Sequence, residues 1–228
     1  MSTTPILILD QGKHHVVVYK PSNMVVVTGR GAPKPTLLDV MQEQLGQGIK
    51  PVHRLDRVTT GCCLLAKTPY GQQALSDAFR KHLVDKRYLA IIEGVPDFKQ
   101  INIDARLKRI DTPNNKKSLA HQVIADDGQR ALTRVKVISS KNNLTLIEAN
   151  PETGRMHQIR AHLAHLGFPI IGDAQYGSKT AYHPNAIALH AHKITFPLPE
   201  GGGRKTITAE PEARFNAKFM QQCIWQTS

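Results

Sequence analysis

Apolar runs separated by short polar turns dominate the first half of the chain. Residues 15–19 and 24–27 are rich in β-branched side chains and flank Lys20-Pro21-Ser22-Asn23, so the pattern predicts a β-hairpin. The uninterrupted apolar run at 62–66 predicts a short buried strand, and residues 87–93 predict another. Turns rather than regular crossover helices join these elements, which favours antiparallel pairing of the strands.

The second half continues the two-residue period of half-buried strands. Apolar positions recur through 132–137 and 144–147, and Lys-Asn-Asn at 141–143 predicts the turn of an antiparallel pair. The polar stretch 112–118 and the three glycines at 201–203 are predicted to be surface loops.

Three segments carry the period and the end signals of helices. Residues 36–45 open with a threonine cap followed three positions later by an aspartate, and residues 68–79 open with Thr-Pro. Residues 155–166 form the third segment and are followed by a glycine, which is typical of a helix C-terminus. The sequence therefore predicts an α+β fold with a mixed, largely antiparallel central sheet and flanking helices, as a single domain over residues 1–228.

The charge balance indicates a polyanionic partner. Thirty Lys and Arg against 18 Asp and Glu give a formal net charge of +12 and a pI near 9.8. Such an excess favours binding to nucleic acid, although a merely basic protein is the alternative. Aromatic residues make up only 5% of the chain, which disfavours modules that stack bases on aromatic platforms.

The remaining composition limits the cellular setting. No apolar stretch approaches the length of a membrane span, and the first residues lack the features of a signal peptide. The three cysteines, two of them adjacent, match neither a disulfide framework nor a zinc site. We therefore expect a cytoplasmic protein that does not associate with membranes.

One short segment combines charges in a way that suits catalysis. The sequence HRLDRVTTG at 53–61 places Asp56 between Arg54 and Arg57, directly before the apolar run. Neighbouring guanidinium groups stabilise the ionised carboxylate, which is the form that a nucleophile or a general base needs. The alternative is a surface loop with an ordinary ion pair.

A second charged segment lies at the start of the third predicted helix. Arg155, His157 and Arg160 crowd its first turns, where the helix dipole disfavours cations. The two arginines are therefore expected to face a phosphate or a carboxylate such as Asp56, unless they form a solvated face. His157, His162 and His165 do not share one helical face, so a metal site is disfavoured.

Two further features are open to more than one interpretation. Tyr88 stands on a predicted strand among basic residues, where it is either a core residue or a ring presented to an extruded base. The basic residues 106–109, with Lys116 and Lys117, either grip RNA or form a solvated loop. Glycine-rich phosphate-binding signatures are absent from the sequence, so nucleotide and dinucleotide cofactors lack support.

Taken together, these segments resemble the RluA-type family of RNA pseudouridine synthases. The resemblance is carried by HRLDRVTTGCCLLAKT at 53–68, KRYLAIIEG at 86–94, TGRMHQIRAH at 153–162, GFPIIGDAQYG at 167–177 and LHAH at 189–192. It implies the pseudouridine synthase fold with an active-site cleft across the sheet, and the short form of the family without an N-terminal RNA-binding domain.

The resemblance also implies roles for individual residues. Asp56 would be the nucleophile, attacking either the ribose C1′ or the pyrimidine C6, and Arg160 would pair with it. Tyr88 would pack on the target base, and Leu189 would form an apolar wall of the pocket. The substrate-binding residues implied by the resemblance and by the charged segments are Arg54, Arg57, Arg155, His157 and Leu189.

The expected reaction is the isomerisation of specific uridines in tRNA, 23S rRNA or both. Because substrate and product are isomers, no cofactor and no metal are expected. We also expect a monomer without an obligate protein partner. The rival hypotheses are a non-catalytic RNA-binding protein on the same fold and a metal-dependent hydrolase that uses the histidines.

Overall fold

The computed structural model describes residues 4–29, 33–111 and 120–215. These residues form twelve strands: β1 Ile8–Gln11, β2 His15–Lys20, β3 Lys50–Pro51, β4 Thr60–Ala66, β5 Asp85–Glu93, β6 Gln100–Asp104, β7 Leu107–Ile110, β8 His121–Ile124, β9 Leu132–Lys141, β10 Leu144–Pro151, β11 Leu189–Pro197 and β12 Arg204–Thr208. Their α-helices are α1 Leu37–Leu45, α2 Pro69–Arg80 and α3 Gln158–His165.

The described residues belong to two compact units. Unit 1 takes its residues from 1–87 and 190–210, and unit 2 takes its residues from 88–189 and 211–228. The chain therefore leaves unit 1 within β5 and returns to it within β11. The expectation of a single domain stays a prediction, because compact units of this kind occur both within and between domains.

In unit 1 the sheet is built around β4, whose seven residues are all buried. The strand order is β1-β2-β4-β11-β12, and β3 also pairs with β4. Strands β4 and β11 run parallel, whereas the other pairs of this unit are antiparallel. Helix α2 packs on β4 through Leu75 and Ala78, and this burial of apolar side chains anchors the strand that follows the Asp56 segment.

In unit 2 the strands β5, β10, β9 and β6 follow one another in an antiparallel sheet. Strands β7 and β8 form a separate two-stranded sheet. Helix α3 contacts β8, β9 and β10, and Ala161 on this helix packs against Leu107 of β7. The predicted class, α+β with a mixed and largely antiparallel sheet, is thereby confirmed.

Several local predictions are confirmed. Thr36 caps α1 in a capping box with Asp39, and Thr68 caps α2 with Pro69 as its first residue. The predicted antiparallel pair is β9 and β10. The glycines at 201–203 form the connection from β11 to β12, whereas the polar stretch 112–118 lies outside the described residues.

Two predicted elements are wrong in part. Residues 24–27 form no strand, because the carbonyls of Val25 and Val26 accept hydrogen bonds from the first amides of α1. Strand β2 pairs instead with β1 and β4. Helix α3 begins at Gln158 rather than at residue 155, because His157 adopts a left-handed conformation with φ 52°. No helix within the described ranges is long and apolar enough to cross a membrane.

Candidate active site

Asp56 lies in the turn that joins β3 to β4 in unit 1. Leu55 beside it is buried, Asp56 itself is half-buried, and Arg54 and Arg57 are exposed. The turn is closed by a hydrogen bond from the Thr59 amide to the Asp56 carbonyl at 3.1 Å. The backbone of the turn therefore presents the carboxylate from a position that Leu55 anchors in the core.

The ammonium group of Lys20 is hydrogen-bonded to the backbone of this turn. The residue is fully buried at the end of β2, and its Nζ donates to the carbonyls of Pro21 and Met24, each at 2.8 Å, and of Arg57 at 3.2 Å. Burial lowers the pKa of Lys20 to about 8, whereas Cys63 and the Asp56 carboxylate act in the opposite direction. A buried cation thus links the end of β2 to the residue next to Asp56.

His53 supports the start of the turn as an uncharged acceptor. Its Nε2 accepts the amide of Leu64 at 2.9 Å, and its ring stacks on Phe79 at 4.7 Å between centroids. Burial lowers the pKa of His53 to about 3, and the charge of Lys86 adds to this effect. The imidazole is therefore neutral at physiological pH, with its proton on Nδ1.

The end of the turn depends on a glycine and a buried histidine. Gly61 has φ +107°, and a Cβ there would lie 2.3 Å from the carbonyl oxygen of Ala191 on β11. His190 on the same strand bonds Thr60 Oγ1 at 2.8 Å and the Ala209 carbonyl at 2.9 Å. Burial lowers the pKa of His190 to about 4. Only glycine allows β4 and β11 to approach so closely.

Arg57 is directed at a neighbouring loop. Its Nε donates to the side-chain oxygen of Asn23 at 2.7 Å, and its Nη2 donates to the same oxygen. Asn23 has a positive φ of 62°. The side chain of Arg57 therefore joins the Asp56 turn to the segment that follows β2.

In unit 2, Arg160 is held by a buried ion pair. Its Nε and Nη2 donate to the two carboxylate oxygens of Asp173 at 2.7 and 2.8 Å, and Nη2 also donates to Gln175 at 2.9 Å. The side chains of Arg160 and Asp173 are 5% and 2% exposed. The guanidinium also lies 4.8 Å from the ring centroid of Tyr176.

Arg160 is expected to face a phosphate or a carboxylate such as Asp56. Within unit 2 the carboxylate that it bonds is that of Asp173. The pair of Arg160 with Asp56 joins residues of different units and stays a prediction.

The other predicted residues of unit 2 lie at different depths. Tyr88 is half-buried on β5, opposite Ala149 of β10. Leu189 is buried, with 3% of its surface exposed. Arg155 is exposed ahead of α3, where its Nε donates to the Arg130 carbonyl at 3.1 Å. His157 bonds the hydroxyl of Tyr176 at 3.1 Å.

Two of the three histidines considered for a metal site, His157 and His162, have other partners. His162 is fully buried, and its two ring nitrogens bond Thr133 Oγ1 at 2.9 Å and the Ala105 carbonyl at 3.0 Å. Among the residues that the structure describes, no group of three or more His, Cys, Asp or Glu is arranged to hold a metal ion.

Sequence reasoning missed three supporting residues: Lys20, Asp173 and Gln175. A lysine that ends the apolar run VVVYK was a signal that a cation is buried there, and Asp173 follows the apolar residues IIG. Neither pattern indicates which residue is the partner. Lys20 bonds Arg57, 37 residues away in the chain, and Asp173 bonds Arg160, 13 residues away.

Comparison with known proteins places these residues in a family context. The family described as RNA pseudouridylate synthase matches residues 14–165. An uncharacterised RNA pseudouridine synthase of Zymomonas mobilis is 42% identical over 161 residues, 70% of this chain and 70% of that protein. Ribosomal large subunit pseudouridine synthase D of the same organism is 34% identical over 224 residues, 90% of this chain and 69% of that protein.

The fold has a solved counterpart. The structure of human RNA pseudouridylate synthase domain containing 1 superposes with a TM-score of 0.76 at 21% identity, over 92% of this chain and 86% of that one. At this identity the likeness concerns the fold alone.

Proposed function

The chain belongs to the RNA pseudouridylate synthase family, and on that premise we propose that Asp56 is the nucleophile with which it isomerises uridine in RNA to pseudouridine. The enzyme is thus an intramolecular transferase that acts on RNA. In the reaction the N1–C1′ bond breaks and a C5–C1′ bond forms, while C5 loses a proton and N1 gains one. Asp56 would attack either C1′ or C6, and it is regenerated when the rotated uracil is rejoined.

The support for Asp56 is the construction of its turn. Three separate groups hold the backbone on either side of the carboxylate: the Lys20 ammonium, the neutral His53 ring and the β4–β11 contact at Gly61. A nucleophile is effective when its geometry is fixed before the substrate arrives. An ordinary surface ion pair would gain little from such support.

The remaining residues are assigned to orientation and binding. Arg160 would pair with Asp56 and keep the carboxylate ionised. Tyr88 would pack on the target base and assist the proton transfer at C5, and Leu189 would close the pocket. Arg54 and Arg57 would bind the RNA with the uridine extruded from its stack. Arg155 and His157 are the expected contacts from unit 2.

The substrate is proposed to be tRNA, 23S rRNA or both. The net charge of +12 supports binding to any of these RNAs. The relative named as a ribosomal large subunit synthase favours rRNA as the first RNA to test. We further propose that the protein acts as a cytoplasmic monomer without an obligate protein partner.

The decisive experiment is carbodiimide mapping of pseudouridine in total tRNA and rRNA from cells that lack the gene, complemented with wild type or Asp56→Asn. We expect a site that only wild type restores, because the variant keeps its shape but loses the nucleophile. Asp77→Asn, which alters a half-buried acid on α2, is the matched control and should restore the site.

The same experiment separates the rival hypotheses. A site restored equally by Asp56→Asn would refute the nucleophile while retaining the activity. If wild type restores no site although the purified protein binds RNA, the non-catalytic RNA-binding protein becomes the better account.

A further inference from the structure

A cavity of about 390 Å³ lies in unit 2 beside the β7–β8 sheet. It is lined by residues of that sheet, by the 127–129 turn and by the segment ahead of α3, among them Lys108, Arg109, Gln122, Gly128, Gly154 and Arg155. Its volume falls within the range of about 300–1,000 Å³ that is typical of sites for small organic ligands.

Gln122 is the unusual member of this lining. The residue is only 8% exposed, yet its buried Oε1 accepts no hydrogen bond from the described part of the chain. Leaving a buried carbonyl oxygen without a donor costs about 1–3 kcal/mol. Because Oε1 is buried in this side-chain conformation, a change of the side-chain torsions, the last of which has a broad profile, is needed to bring Oε1 and Nε2 together to the cavity. The residue is thus suited to an incoming group that both donates and accepts.

Basic residues line the same cavity as Gln122. Arg109 is directly opposite Gln122 in the β7–β8 register, so the two side chains share one face of the sheet. Arg109 pairs with Asp111, and Lys108 pairs with Asp127, all four side chains being largely exposed. Exposed pairs of this kind are weak, so a phosphate can replace either acid. Arg155 supplies a third positive charge at the cavity.

We propose that this cavity binds one adenine nucleotide of the substrate RNA at a position other than the target uridine. The carboxamide of Gln122 would pair with N6 and N7 of adenine, the base edge that Gln matches with two hydrogen bonds. Arg109 and Arg155 would bind its phosphate. The assignment to RNA rests on the proposed function, whereas the nucleotide site itself does not.

The site is tested first with free nucleotides, which requires no catalytic activity. AMP, GMP, CMP and UMP would be titrated into the full chain by calorimetry, with Gln122→Met as the variant and exposed Gln73→Met as the matched control. We expect wild type and Gln73→Met to prefer AMP about tenfold, and Gln122→Met to lose that preference. Equal AMP binding by wild type and Gln122→Met would overturn the proposal.

Urea denaturation distinguishes a binding role of Gln122 from a structural one. Because Gln122→Met removes an unsatisfied buried oxygen at nearly constant volume, its resistance to urea should equal or exceed that of wild type. A variant that unfolds more easily would show that Gln122 serves the fold, and that result too would overturn the proposal.

The second arm uses an RNA that carries the mapped uridine. Gln122→Met should raise KM for this RNA about tenfold, and AMP should compete with the RNA for wild type. If Gln122→Met leaves KM for the RNA unchanged while wild type still prefers AMP, the cavity binds a free nucleotide and the RNA assignment is overturned. If wild type forms no pseudouridine, the proposed function fails, while the AMP titration still decides whether the site exists.

Discussion

The turn of Asp56 and the surroundings of Arg160 fix opposite charges in different ways. Around Asp56, the supporting contacts of Lys20 and His53 go to backbone groups of neighbouring residues. Around Arg160, the contacts of Asp173 and Gln175 go to the guanidinium itself. The described supports of the Asp56 turn therefore act through the backbone, whereas those of Arg160 act directly on its side chain.

This difference predicts which kind of substitution each region tolerates. A charge held by side chains loses both its position and its compensation when one partner is removed. A charge held through the backbone keeps its own contacts when a supporting residue is substituted, and the effect of the substitution is a displacement of the loop that carries the charge.

The largest effect is expected from Asp173→Ala. The variant leaves Arg160 as a buried cation without its carboxylate, which should lower the free energy of unfolding by about 3–5 kcal/mol. Urea denaturation measures this change directly. Asp77→Ala, which breaks the exposed pair with Arg80, is the matched control and should cost less than about 1 kcal/mol. Equal losses in the two variants would contradict the distinction between the regions.

Lys20→Met should affect turnover more than it affects the free energy of unfolding. Removing the ammonium frees the carbonyl of Arg57, and a displacement of the turn by about 1 Å lowers kcat by roughly 100-fold, with a smaller change in KM. Steady-state kinetics on the mapped RNA would measure both constants. Lys67→Met removes a lysine that bonds only the Gly12 carbonyl among the contacts described, and it should retain kcat. A kcat near that of wild type in Lys20→Met would show that the buried cation does not place Asp56.

The local part of this architecture could be predicted from the sequence, and the part that depends on distant residues could not. The capping box of α1 lies within four consecutive residues, and β9 and β10 are joined by a short turn, so short-range patterns sufficed. Residues 24–27 look like a strand, but they bond to the start of α1. Adjacent charges drew attention to Asp56, whereas Asp173 is recognisable only once folding has buried it against Arg160.

A third test concerns acid stability in the Asp56 region. In the unfolded chain His53 and His190 bind a proton near pH 6.5, whereas burial lowers their folded pKa values to about 3 and about 4. The unfolded state thus binds more protons in this window, so stability falls as the pH drops below about 6.5. Urea midpoints measured from pH 7 to pH 4.5 would follow this loss.

His53→Gln provides the control for that measurement. Its amide oxygen can still accept the Leu64 hydrogen bond but does not titrate, so the stability of this variant should depend less steeply on pH. An identical slope in wild type and variant would mean that His53 binds its proton as readily in the folded protein as in the unfolded chain.

The contact between Thr60 and His190 has a consequence for how the protein is made. The two side chains lie 2.8 Å apart, although 130 residues separate them in the chain. At about 5–20 residues per second, the ribosome needs roughly 6–26 s to synthesise that interval. During this time the nascent chain carries the whole HRLDRVTTG segment but lacks the strand against which Gly61 packs. The turn that holds Asp56 is thus completed only after the residues up to His190 have been synthesised.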